Sequence, residues 1–175
     1  MPTSRPIVLN YVCNRILQLK PQSVLDVGVG FGKWGFLARE YTDVWHGNYF
    51  HWKTQIDGIE GFKQYIGLLQ RLIYGEIFIG DALEVIDGLG QYDLIICADV
   101  LEHLEKEQGK QLLEKMCQHG KLSIVVLPIY PSNQGAVNGN EYERHRARWT
   151  FEELGQFGDV FQKDIMFILE MEGGK

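Results

Sequence analysis

Residues 24–35 read VLDVGVGFGKWG, an apolar run that breaks into alternating glycines and continues as an amphipathic stretch through Trp34, Phe36, Leu37 and Tyr41. Glycines at 28, 30, 32 and 35 let the backbone turn with positive φ where a Cβ would clash. A strand that passes through such a turn straight into a helix forms a βα unit. Its next parallel strand is reached only by a crossover over the sheet.

The rest of the chain supplies those partners. Residues 7–19 carry apolar side chains at helical spacing, and Pro21 closes that helix ahead of the first strand. Further strands are predicted at 55–59, 77–79, 92–97, 122–127 and 165–171, with covering helices at 62–72, 82–86 and 104–117. The alternation predicts an α/β fold: a doubly wound, mostly parallel Rossmann-like sheet with helices on both faces and an antiparallel last strand. No linker or repeat interrupts 1–175, so one domain is expected.

Charge narrows the partners. With 17 basic and 23 acidic residues among 175, the net charge is -6. A broad phosphate-tracking surface is disfavoured, and nucleic acid is not an expected partner. Cys13, Cys97 and Cys117 are widely spaced in apolar or helical contexts and read as reduced buried thiols. No signal peptide is read at the N-terminus, and the longest apolar stretch, 122–130, is far short of the ~20 residues a bilayer requires. The expectation is a cytoplasmic protein without membrane contact.

Gly30, Gly32 and Gly35 also fit the G-x-G-x-x-G of dinucleotide sites, so glycines alone leave the ligand open. Asp26 separates the readings. Two residues before the first glycine, its carboxylate would repel a pyrophosphate seated on the helix N-terminus. It suits a ligand carrying a sulfonium and an ammonium. D-x-G-x-G-x-G resembles the first motif of class I S-adenosylmethionine-dependent methyltransferases, with Asp26, Gly28, Gly30 and Gly32 on the matching positions.

Three more landmarks follow in that family's order. Glu60 ends the second strand, where the resemblance implies a carboxylate on both ribose hydroxyls, with Asp57 as the alternative. Asp81 and Ala82 in GDA resemble the adenine-side segment, although Asp81 also reads as a helix N-cap, and the two roles are compatible. Asp99 and Val100 resemble the segment after the fourth strand that lines the cofactor pocket. The resemblance covers about residues 23–127 and implies S-adenosylmethionine as cofactor. The 34 residues from Asp26 to Glu60 exceed one helix and a turn, which marks 41–52 as an insertion.

Methyl transfer needs an aligned nucleophile and, for a hydroxyl acceptor, a group to take its proton. His103 and His145 are the candidate catalytic residues, each beside a strand end facing the acceptor in the family fold. The pattern D-x-x-E-H at 99–103 with the later His145 also resembles the metal-dependent small-RNA 2′-O-methyltransferases. That family carries glutamate where Asp99 stands, and the same L-E-H element occurs in metal-free small-molecule O-methyltransferases. No metal site is assigned on the sequence. The absence of an Asn/Asp-Pro-Pro-aromatic segment after the fourth strand argues against an exocyclic amine of DNA.

Two irregular segments remain. The aromatics Trp45, Tyr49, Phe50 and Trp52 read as a stacking surface for the acceptor, as a lid, or as a satellite apolar cluster. Arg144, Arg146 and Arg148 read as a grip on an acidic substrate or as a salt-bridged loop. Together these readings point to methyl transfer onto a small molecule, most readily at oxygen. A second copy of the chain is the expected cover for a site without a cap domain. The alternatives are an RNA or protein methyltransferase and a non-catalytic S-adenosylmethionine-binding or nucleotide-binding module.

Overall fold

The computed structural model describes residues 4–174. Seven strands form one sheet: β1 (Ser23–Val27), β2 (Gln55–Glu60), β3 (Ile77–Ile79), β4 (Tyr92–Ala98), β5 (Gly120–Pro128), β6 (Asp159–Lys163) and β7 (Met166–Glu172). Their order is β3-β2-β1-β4-β5-β7-β6. The first five are parallel, and β7 runs antiparallel to both β5 and β6. The expected α/β architecture is therefore present, with one strand more than the sequence revealed. That strand, DVFQK, lies mostly exposed at the sheet edge, so no buried apolar run announces it.

Helices α1 (Leu9–Leu19), α2 (Lys33–Thr42), α3 (Leu68–Ile73), α4 (Ala82–Val85), α5 (Lys106–His119) and α6 (Phe151–Leu154) occupy the connections around these strands. Strand side chains alternate between faces, and the core divides accordingly. Leu25, Val27, Ile95, Cys97, Val125 and Leu127 meet Leu112, Leu113 and Met116 of α5. Val24, Leu94, Ile96, Ile124 and Val126 meet Val12 and Ile16 of α1 and Trp34 and Ala38 of α2. Asp26 shares the register of Val24, so its carboxylate points into this second layer. The central strands are buried on both faces, as a parallel sheet requires. All three cysteines are free thiols, and no helix among the described residues is long and apolar enough to cross a membrane.

The insertion is fastened by a buried ion pair. Arg39 at the end of α2 donates to Asp43 at 2.6 Å, to the Thr54 carbonyl at 2.7 Å and to the Ile73 carbonyl at 3.0 Å. Asp43 in turn accepts from the Lys53 amide at 2.7 Å, and the Trp52 ring covers the guanidinium at 4.3 Å. Because α2 runs back along the sheet, this segment lies at the end of β2 opposite its Glu60 end. Trp45, Tyr49 and Phe50 are exposed there. Neither the stacking surface nor the lid expected of these aromatics can form so far from the glycine turn.

Removing one partner of a buried pair leaves an uncompensated charge, which costs about 3–5 kcal/mol. Arg39→Ala is expected to lower unfolding stability by that order in urea titrations. A loss within ~1 kcal/mol would show that the pair contributes little beyond packing.

Candidate active site

Strand order reverses between β1 and β4, where crevices open at the carboxyl ends of parallel strands. A cleft lies there, lined in part by Val27 to Phe31, Glu60, Asp81, Ala82, Asp99, Val100 and His103. The glycine turn is stitched to β2: the amides of Gly28 and Val29 donate to the Ile59 carbonyl at 2.9 and 3.1 Å. Gly28, Gly30 and Gly32 have φ of 85°, 51° and 84°. A Cβ on Gly28 would lie 2.5 Å from the Val100 side chain, so two of the expected cofactor positions pack on each other.

Glu60 ties the turn down further. Its Oε2 accepts from the Gly30 amide at 2.8 Å and its Oε1 from the Phe62 amide at 2.7 Å. It lines the cleft, and each oxygen retains acceptor capacity for a hydroxyl. Asp57 does not compete for this role. It is buried and held by Gln55, the Glu76 amide and Tyr92, and it is no part of the cleft lining. Asp81 caps α4 by accepting from the Leu83 amide at 2.8 Å and lines the cleft beside Ala82.

Asp26 requires a correction. It is fully buried and absent from the cleft lining. Its Oδ2 accepts from the Tyr74 hydroxyl at 2.5 Å, and that hydroxyl accepts from the Gly35 amide at 3.1 Å. The alternation of β1 turns the carboxylate beneath the glycine turn, where it supports the loop from below. Burial pushes its pKa up to about 7, against the opposing hydrogen bond from Tyr74. Gly35 serves the same contact, since a Cβ there would lie 2.1 Å from the Tyr74 ring.

On the β4 side, a helical turn at Leu101–His103 carries Glu102 and His103, and the loop after β5 brings His145 against them. Ligating atoms of Glu102, His103 and His145 lie within 4.8 Å of one another. His103 Nδ1 faces the Arg144 carbonyl at 3.3 Å, and His145 Nδ1 faces the Ser132 carbonyl at 2.6 Å. A carbonyl only accepts, so each Nδ1 carries the proton and each Nε2 keeps a free lone pair. Burial and the neighbouring His145 push His103 down to about 4, which leaves it neutral at physiological pH and a weak base. Glu102 Oε2 is buried without a hydrogen-bond partner, and burial together with Asp99 raises this carboxyl well above the usual range. Two imidazoles, each with Nε2 left to offer a lone pair, and an orphaned carboxyl oxygen form a donor set that fits a divalent cation. Asp99 stands outside this set.

Arg146 binds the two histidine-bearing segments together. Its Nη1 donates to the carbonyls of His103, Glu141 and Arg144 at 3.0, 3.1 and 3.1 Å, and its backbone amide donates to the Glu102 carbonyl at 2.7 Å. Arg144 pairs with Glu141 at 2.9 Å, and Arg148 lies over the Tyr130 ring at 5.1 Å. The arginine run is thus occupied with its own loop. The same loop sends Asn140, Tyr142 and Glu143 into the cleft lining, where Tyr65 donates to Glu143 at 3.0 Å. Sequence reasoning marked the loop as a place for specificity but singled out none of these three, because only the fold carries them back across to β2.

No protein-family model and no curated protein sequence matches the chain. Its fold does match solved structures. An O-methyltransferase family protein from Burkholderia thailandensis superposes with a TM-score of 0.63 at 11% identity, over 96% of this chain and 56% of that one. The methyltransferase domain of bacterial CtHen1 gives 0.64 at 16% identity, covering 95% and 97%. Magnesium protoporphyrin IX methyltransferase from Synechocystis, solved with SAH bound, gives 0.63 at 14%, covering 95% and 82%. The chain thus spans little more than half the length of the first of these. At such identities the likeness is one of fold, and the fold is that of the methyltransferases.

Asp26 has a stability consequence. Its folded pKa of about 7 lies above the ordinary 3.8, so the native state holds a proton that the unfolded chain releases. The contribution is complete below about pH 4 and is lost as pH rises through 7, on the order of a few kcal/mol. Asp26→Asn keeps an acceptor for Tyr74 and should remove this slope from the urea midpoint measured between pH 4 and 8. An unchanged slope would assign the effect to another group.

Proposed function

We propose that this chain, built on the methyltransferase fold, transfers the methyl group of S-adenosylmethionine to a hydroxyl of a small molecule, with a divalent cation held by Glu102, His103 and His145. The observation that carries the reading is the convergence of those three side chains at the β4 edge of a cleft lined by the glycine turn, Glu60 and Asp81. The strand order sets Asp81, Glu60, the turn and Asp99 in a row, which suits an extended ligand with adenine and ribose at one end and an amino-acid group at the other. Glu60 would accept from the ribose hydroxyls. The backbone around Asp81 and Ala82 would meet the base.

A bound divalent cation supplies Lewis acidity that lowers the pKa of a coordinated hydroxyl. The protein's own part is to hold the donors. The Arg144 and Ser132 carbonyls fix the imidazole tautomers, and Arg146 fixes the spacing between the two histidine-bearing segments. The turn and the loop after β5 both line the cleft in which the acceptor would sit. His103, held near pKa 4, suits ligation better than proton abstraction at neutral pH. The small-molecule acceptor is favoured by the net charge of -6 and by arginines already engaged within their loop. The same three-residue cluster also favours a second reading, a ribose hydroxyl of RNA, given the fold shared over full length with the CtHen1 domain.

The test begins with protein stripped by chelation, then supplied separately with Mg²⁺, Mn²⁺ or Co²⁺. Hydroxylated metabolite pools and short RNAs serve as acceptors in parallel, with methyl transfer from labelled S-adenosylmethionine as readout. Activity should require the added cation, and Glu102→Gln should lower it at least 100-fold while S-adenosylhomocysteine binding stays within threefold. Full activity in chelator would refute the metal role. Transfer to RNA alone would replace the small-molecule acceptor with the second reading.

A further inference from the structure

Two opposite charges in the cleft have no part in holding the cation or the ribose. Lys33 begins α2 immediately after the glycine turn, and Asp99 follows β4 with a φ of 55°, a strained value for a non-glycine residue. Both line the cleft. The Lys33 ammonium donates to the Ser4 carbonyl, and among the described residues it forms no ion pair. Asp99 Oδ2 is buried with no hydrogen-bond partner. Ser4 lies between them: its hydroxyl accepts from the Trp34 ring nitrogen at 3.2 Å and also contacts the Asp99 side chain. Lys33 and Asp99 are close enough for each to favour the charged form of the other, yet neither neutralises the other by direct contact.

A half-buried ammonium answered by one carbonyl and a carboxylate with one unanswered oxygen are each short of partners. A zwitterion supplies both at once. Resting on the cofactor reading above, we propose that Lys33 and Asp99 together receive the α-amino-acid end of S-adenosylmethionine, Lys33 taking its carboxylate and Asp99 its ammonium. The position agrees with the strand order: Asp99 lies past the turn from Glu60, at the end of the row opposite Asp81. It also explains why Asp99 stays out of the cation cluster despite its D-x-x-E-H spacing, since its carboxylate is turned to Ser4 and Lys33. The amino-acid group is identical in cofactor and product, so the pair should hold S-adenosylmethionine and S-adenosylhomocysteine alike.

Calorimetry on the full chain with three probes tests this. S-adenosylhomocysteine carries both groups, decarboxylated S-adenosylmethionine lacks only the carboxylate, and 5′-methylthioadenosine lacks the whole amino-acid end. Lys33→Met should weaken S-adenosylhomocysteine tenfold or more and the other two less than twofold, with Lys33→Arg restoring most of the loss. Asp99→Asn should weaken S-adenosylhomocysteine and the decarboxylated probe together while sparing 5′-methylthioadenosine. The assignment is overturned if Lys33→Met binds S-adenosylhomocysteine as the unaltered protein does, or weakens all three probes equally, as a general structural lesion would. An unaltered protein that binds none of the probes removes the cofactor reading itself, and the pair's ligand with it.

Discussion

The Tyr74 hydroxyl is the contact that the glycine turn rests on. It donates to the carboxyl of Asp26 in β1 and accepts from the amide of Gly35 in α2, so one oxygen joins the strand before the turn to the helix after it. The ring reaches that position only because Gly35 and Gly58 offer no Cβ in its path. Three glycines with positive φ leave the turn conformationally free, and a free turn presents no fixed amides to a ligand. Tyr74 from one side and Glu60 from the other remove that freedom before any ligand arrives. A pre-shaped loop spares the binding event the entropy of ordering it.

Acidity is the second theme. Glu60, Asp99 and Glu143 line one cleft with Glu102 at its β4 edge, and burial raises the pKa of Glu60, Asp99 and Glu102. Clefts of this kind favour cationic ligands. A sulfonium cofactor and a divalent cation are two such ligands, and each would relieve a different part of the repulsion. The Nδ1 contacts of His103 and His145 with backbone carbonyls complement this by leaving each Nε2 as the nitrogen that can offer a lone pair.

Much of the frame was legible in the chain. The parallel strands read as apolar runs because both faces are covered, and the turn read as glycines because positive φ demands them. Glu60, Asp81 and Val100 lie in the cleft lining where the motif order put them. Asp26 did not, since spacing along the chain says nothing of which face of β1 a side chain takes. The aromatic insertion was open between a stacking surface, a lid and a satellite apolar cluster, and only the direction of α2, which sends it to the far end of the sheet, removes the first two. Asn140, Tyr142, Glu143 and Lys33 were invisible as a set because they meet only through tertiary folding. The cation cluster was half visible. The spacing of Glu102, His103 and His145 was noted, but tautomers and orphaned oxygens belong to three dimensions.

The clamp made by Arg146 divides the loop after β5 into two parts with different freedom to change. From Arg144 onward the loop is pinned to Glu102 and His103 by the Arg146 guanidinium and by the backbone amides of Arg146 and Ala147, so side chains there other than Arg146 and His145 can vary without moving His145. Between Pro131 and Gly139 the ties include the Ser132 and Gln134 carbonyls that meet His145, the Gln134 side chain donating to the Glu143 carbonyl at 2.6 Å, and the short bridge from Val137 to Asn140. Under the proposed methyl transfer, acceptor preference would therefore drift through lengthening or recolouring of that first part while the chemistry beneath stayed fixed. A protein so arranged is a chassis on which one reaction can be offered to successive substrates.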